Sequence, residues 1–209
     1  MRRGLYALPL LVLLTTLAPG ARAITRNEEP ATPPAADKLT GQLLVATPEL
    51  DDPHFRHTVV LIVHHGEDGT LGLVVNRPLG KAPAAELLKR LGVPEQGAKG
   101  DIELSYGGPV QPEIGMVVHS SDYRLPDTTS VTRQLSVTSN PQVLHDMAAG
   151  SGPQHAVAVL GYAGWGPGQL EGEMAEGAWI TIPADPDLVF TPDPDKEWQT
   201  AVSRRGEEL

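Results

Sequence analysis

Beyond residue 38, the apolar residues of this chain fall into short runs. Glycine or proline cuts nearly all of them before they reach the roughly ten residues of an ordinary helix. That punctuation limits the fold more than any other feature. Residues 42–47 and 58–65 are rich in β-branched side chains and are bounded by Pro48 and by Gly66-Glu67-Asp68-Gly69, so they read as strands. The run 71–75 follows directly, and the glycines between supply the positive φ of a tight hairpin return. Residues 102–106, 115–119 and 131–137 read as further strands, and 179–182 as the last. The uninterrupted apolar run 156–162 reads as a strand covered on both faces. Helical signals are fewer. Pro83 and Gly92 bracket an amphipathic stretch at 84–91, and Asn140-Pro141 opens a helix that stops at Gly150. A third is expected over 169–176. Strands outnumber helices and no regular βα alternation holds. The expected class is α+β: a mostly antiparallel, curved sheet flanked by a few short helices.

The first 23 residues have the layout of a secretory signal. Arg2 and Arg3 give the positive start, residues 5–17 are apolar, and Ala21-Arg22-Ala23 is a small-residue cleavage site. The apolar part contains Pro9 and falls short of the roughly 20 residues a spanning helix needs. The expected location is therefore periplasmic or secreted, with no stable membrane span after signal removal; a cytoplasmic protein would require a misassigned start. Residues 24–38, with three prolines and no apolar period, read as a disordered tether. One domain is expected over 39–198, followed by a polar tail at 199–209.

Composition narrows the chemistry. With 16 basic and 26 acidic residues the net charge is −10, which disfavours nucleic-acid binding through clustered cations. Cleavage after Ala23 removes three arginines and no acid, and deepens that imbalance. The absence of cysteine excludes disulfide scaffolds, thiolate metal sites, iron–sulfur clusters and cysteine nucleophiles.

Four segments stand out. The first is Gly41-Gln42-Leu43-Leu44-Val45-Ala46-Thr47-Pro48, leading into Leu50-Asp51-Asp52-Pro53-His54-Phe55-Arg56-His57-Thr58. The second is Leu71-Gly72-Leu73-Val74-Val75-Asn76-Arg77-Pro78-Leu79. The third is Tyr106-Gly107-Gly108-Pro109-Val110, with Gly115-Met116-Val117-Val118-His119-Ser120 close behind. The fourth runs from Leu160-Gly161-Tyr162-Ala163-Gly164-Trp165 through Gly166-Pro167-Gly168-Gln169-Leu170-Glu171 and on to Trp179. In this order, over about 42–198, they resemble the AlgH/YqgE family of bacterial proteins. The resemblance implies a compact α+β fold with a barrel-like, forked sheet, and no established reaction. Its association with alginate regulation names a phenotype, and a direct transcriptional regulator cannot be exported. The chain departs from the family pattern at His64-His65-Gly66, where Glu-His-Asn is usual, and in its export signal.

Each candidate site has a structural reading beside it. Asp52-Pro53-His54-Phe55-Arg56 reads as a capped turn, with Arg56 pairing with Asp52 or projecting into a groove. Asn76 can bridge turn backbones, while Arg77 offers a donor fork for a carboxylate. The loop 161–168 before Gln169 has a phosphate-loop layout, but it lacks Lys and Arg and is followed by Glu171 and Glu173; packing of Trp165 is the simpler role. His64 and His65 point to opposite faces of a strand and cannot chelate together. Asp185-Pro186-Asp187 and Asp193-Pro194-Asp195 lack the offsets of a calcium loop and read as turns. No GxSxG or SxxK motif is present. No cofactor, metal or catalytic set is expected.

The leading expectation is a non-enzymatic module binding a small ligand or protein partner. Its groove would be formed by Asp52, Arg56, Asn76, Arg77, Gly107, Gly108, Pro109, His119, Trp165 and Gln169. The rival is a hydrolase using His119 or His65 as base with Asp52 orienting it. A transcription-related regulator is a third, disfavoured by the signal and the charge.

Overall fold

The computed structural model describes residues 39–191 and 193–204. The expected signal and tether lie outside them. Ten strands build one sheet: β1 (Gln42–Ala46), β2 (Val59–Gly66), β3 (Gly69–Val74), β4 (Pro78–Pro83), β5 (Asp101–Tyr106), β6 (Val110–Ser120), β7 (Thr129–Ser130), β8 (Leu135–Thr138), β9 (Ala156–Trp165) and β10 (Trp179–Pro183). The helices are α1 (Ala84–Arg90), α2 (Gln142–Ala149), α3 (Gln169–Ala175), α4 (Pro186–Val189) and α5 (Pro194–Ser203). The class is α+β, with a curled, largely antiparallel half-barrel sheet. The main path runs β10-β1-β2-β3-β9-β6-β8-β7, and the β4–β5 pair joins it through β9. The β5–β9 pairing is parallel.

The sheet forks along β9. Ala158 to Leu160 pair with β5, Ala163 to Trp165 pair with β3, and β6 runs beside Ala156 to Tyr162. Gly107 stands in the fork, taking the Val74 N–H at 2.9 Å and donating its own N–H to Leu160 O at 2.8 Å. The backbones here are too close for side chains. A Cβ on Gly107 would overlap Gly161 O, and one on Gly108, at φ +153, would overlap the Tyr162 carbonyl group.

Period-2 alternation divides β1 and β2 between two cores. Leu43, Val45, Val59 and Leu61 face one that α4 and α5 close; Leu44, Ala46, Val60 and Ile62 face another with Trp165, Leu170 and Trp179. All eight aliphatic side chains are fully buried, each contributing roughly 1.5–3 kcal/mol for the larger ones. A third core lies under α1 and α2, around Leu88, Ile102, Val143 and Ala158.

Three local expectations are corrected. The strand expected over 131–137 is broken, because Thr132 Oγ1 accepts the N–H groups of Gln134 and Leu135 and folds the chain into the β7–β8 hairpin. The Asp-Pro pairs at 185–186 and 193–194 are not turns: each aspartate caps a helix with proline in its first turn. Helix α5 continues through Ser203 with Ala201 fully buried, past the expected boundary at 198. The capped turn expected at Asp52-Pro53 is present, with Asp52 accepting the His54 N–H. Strand β4 was hidden by Pro78, Gly80 and Pro83; it pairs only with β5, across a bulge, where prolines are tolerated.

Candidate functional site

The residues expected to wall a groove are brought together, but largely onto one another. Arg77 follows β3, and its guanidinium donates to three carbonyls of the 53–56 turn: Pro53 O at 3.2 Å, His54 O at 2.9 Å and Arg56 O at 2.8 Å. The fork expected to grip a ligand carboxylate therefore clamps the chain's own backbone. Desolvation lowers the Arg77 pKa from its ordinary value, and the Tyr106 ring lies 6.0 Å away. Asn76 is equally committed. Its Oδ1 accepts the Val59 N–H at 2.9 Å, and its Nδ2 donates to His57 O and Pro194 O. Asp52 receives the His54 N–H at 2.7 Å and pairs with the His54 ring at 3.3 Å; of the two roles expected for Arg56, this leaves projection from the turn, and the residue is exposed. Gly107 and Gly108 serve the strand crossing, and Pro109 is exposed beside them.

Phe55 links that turn to the tryptophans. Its ring stacks on Trp165 at 6.0 Å and meets Trp179 edge-on at 5.6 Å. The two indoles cross at 5.9 Å and both donate to Glu173 Oε2, at 3.0 and 2.8 Å. Gln169 closes the cluster, donating to Glu173 Oε1 and accepting the Gly166 N–H. The loop N–H that a phosphate would need is taken from within.

The histidines do not assemble. His119 is fully buried on β6, its Nδ1 2.8 Å from Ser120 O and its Nε2 without a partner. His65 lies 2.8 Å from Thr70 Oγ1 and 3.4 Å from Glu171, while Asp52 engages His54. The three members of the hydrolase alternative thus have separate partners. Among the described residues no group of three His, Cys, Asp or Glu is placed to hold a metal ion.

Open space lies elsewhere as well. A hollow of 400 Å³ on His54, Arg77, Pro78, Leu79 and Tyr106 is the part of the expected groove that stays open, with Leu79 60% exposed. A larger apolar hollow of 610 Å³ separates α1 and α2 from β6 and β9; Leu91 and Ile114 at its rim are 46% and 37% exposed. A third cavity, 340 Å³, lies between β5, the start of β9 and the α4–α5 corner. Glu197 of α5 lines it, only 2% exposed and with Oε1 unpartnered, and burial pushes its carboxyl up to about 9. Sequence reading missed this residue. The signal was Glu197 and Ala201, four apart on one stripe, but reading 193–195 as a turn left no helical phase to assign.

Known proteins supply the context. A family model described as AlgH-like matches residues 43–209. A UPF0301 protein of Methylococcus capsulatus is 41% identical over 177 residues, covering 85% of this chain and 97% of that one. A UPF0301 protein of Jannaschia sp. is 37% identical, with coverage of 84% and 93%. The solution structure of the AlgH protein from Pseudomonas aeruginosa superposes with a TM-score of 0.66 at 39% identity, covering 80% of this chain and 88% of that one. A Corynebacterium diphtheriae crystal structure shares the fold at 22% identity and a TM-score of 0.61, covering 80% of this chain and 86% of that one. None of these names states a reaction or a ligand. With four motifs in order, a forked half-barrel sheet and these matches over most of its length, the chain belongs to the AlgH-like family.

Proposed function

We propose that this AlgH-like protein is an exported, non-enzymatic binding module, and that the apolar hollow beneath α1 and α2 takes its ligand or an apolar segment of its partner. The observation that carries the reading is that hollow: 610 Å³, walled by Leu87, Leu104, Leu144 and Leu160, with Arg90, Glu113 and Asn140 among its polar residues. A space of that size with few polar groups suits a small apolar ligand. Export is supported by the arginine start, apolar stretch and small-residue site of residues 1–23.

Fluorescence titration with N-phenyl-1-naphthylamine, an uncharged apolar probe, tests the binding site. Saturable binding by the mature protein is expected, and Ile114→Glu, which puts a carboxylate at the rim, should weaken it at least tenfold. Absence of saturation, or equal binding by the variant, overturns the assignment. N-terminal sequencing of the mature chain tests export, since an intact Met1 contradicts it.

A further inference from the structure

We propose that the 340 Å³ cavity at the α4–α5 corner binds a small organic cation, an ammonium or a guanidinium, whose charge pairs with Glu197. Four observations lead there. Glu197 is 2% exposed, lines the cavity, and has an Oε1 with no hydrogen-bond partner. Among the described residues no lysine or arginine lines the space, and none forms an ion pair with Glu197. The wall is rich in acceptors, with Glu103 and Gln154 joining Glu197. An aromatic surface completes it, where the Phe190 and His155 rings stack at 5.5 Å.

These features discriminate between ligand classes. An anion would meet two carboxyl groups with no fixed cation opposite. A neutral donor could satisfy Oε1 but would gain nothing from the two carboxyl groups as charges. A cation supplies the donor that Oε1 lacks and can lie against the Phe190 face. A metal ion is a poorer fit, because no three ligating side chains converge among the described residues. The net charge of −10 draws cations towards the protein.

The step balances simply. The Glu197 carboxyl, held neutral by burial, loses its proton to solvent as the carboxylate pairs with the incoming charge. The other titratable groups among the described residues lining the cavity are Glu103 of β5 and His155 before β9.

Isothermal titration of the mature protein with n-butylammonium and n-butylguanidinium at pH 7, in two buffers of different ionisation enthalpy, tests this. n-Butyrate and n-butanol serve as controls. At least one cation should bind saturably at millimolar concentration or below and release close to one proton, while the controls do not bind. Glu197→Gln, which keeps the shape, should abolish the release and weaken binding at least tenfold. Glu103→Gln, at an exposed position, should weaken it several-fold. The proposal is overturned if neither cation saturates, if butyrate binds as tightly, or if both variants bind like wild type. Should Glu197→Gln fail to fold, proton release by the wild-type protein decides.

Discussion

Glu173 Oε2 receives two indole N–H groups from tryptophans that are 5% and 3% exposed, so removing the carboxylate strands two buried donors at once. Glu173→Ala should cost about 3 kcal/mol in urea unfolding followed by tryptophan fluorescence, since hydrogen bonds to charged groups are worth roughly 1.5–3 kcal/mol each. Gln169→Ala, which removes only exposed contacts, should cost less than about 1 kcal/mol in the same assay. Gly108 is a sharper case, because the obstacle is backbone that cannot move aside. A Cβ there overlaps the Tyr162 carbonyl at the sheet's fork, and φ is +153. Gly108→Ala should therefore lose at least about 3 kcal/mol or fail to fold. Gly164→Ala, on β9 two residues beyond Tyr162, meets nothing closer than 3.5 Å and should stay within about 1 kcal/mol. Comparing the two urea midpoints separates a strand-crossing role for Gly108 from a general dislike of alanine.

Three Asp-Pro pairs show how much of the elements was legible and where legibility ended. All three carry the same local signal for a helix start. After Pro53 come His54-Phe55-Arg56-His57 and then the β-branched Thr58-Val59-Val60, so sheet pairing takes the chain and Arg77 holds the turn. After Pro194 a full helical stripe follows, and Glu197 and Ala201 turn inward. The difference lies in the next ten residues. The cores of β1, β2 and β9 were readable because period and burial agree along them. The β7–β8 turn and edge strand β4 were not, since one depends on the Thr132 hydroxyl and the other on pairing that tolerates proline. The candidate site suffered from a related ambiguity. Arginine and asparagine beside a turn look alike in sequence whether they bind a ligand or the chain's own carbonyls. Helix α5 is fastened by the Asp193 cap, by Trp198 Nε1 donating to Ala46 O at 2.8 Å, and by the His57 ring 4.1 Å from Trp198. Asp193→Ala should cost about 1 kcal/mol and speed amide exchange in α5 while leaving α2 protected, as read by hydrogen exchange.

For the whole molecule, a half-buried carboxyl, Asp146, and a buried one, Glu197, pull the pH dependence of stability in opposite directions. Desolvation raises the Asp146 pKa, but hydrogen bonds from Tyr123 at 2.6 Å and Gln142 at 2.8 Å, with His145 at 3.2 Å, outweigh it and leave a net lowering. Its stabilisation is present above the ordinary aspartate value and is lost as pH falls through the lowered one. Glu197 acts in the other sense. Its carboxyl, ordinarily at 4.5, is raised to about 9, so between those values the folded protein holds a proton that the unfolded chain has released. Stability then falls as pH rises, by up to about 1.4 kcal/mol per pH unit. Below pH 4.5 Glu197 is neutral in both states and contributes no slope. Together the two place the stability maximum on the acid side of neutrality. Self-repulsion in an acidic chain also grows with pH, but it affects wild type and variant alike and cancels in their comparison. Glu197→Gln, neutral at every pH, should match wild type within about 1 kcal/mol at pH 4 and exceed it by roughly 4–5 kcal/mol at pH 8. Urea denaturation at both pH values checks this, and a wild-type chain whose gap to the variant stays constant would mean that Glu197 ionises in the folded protein at its ordinary value.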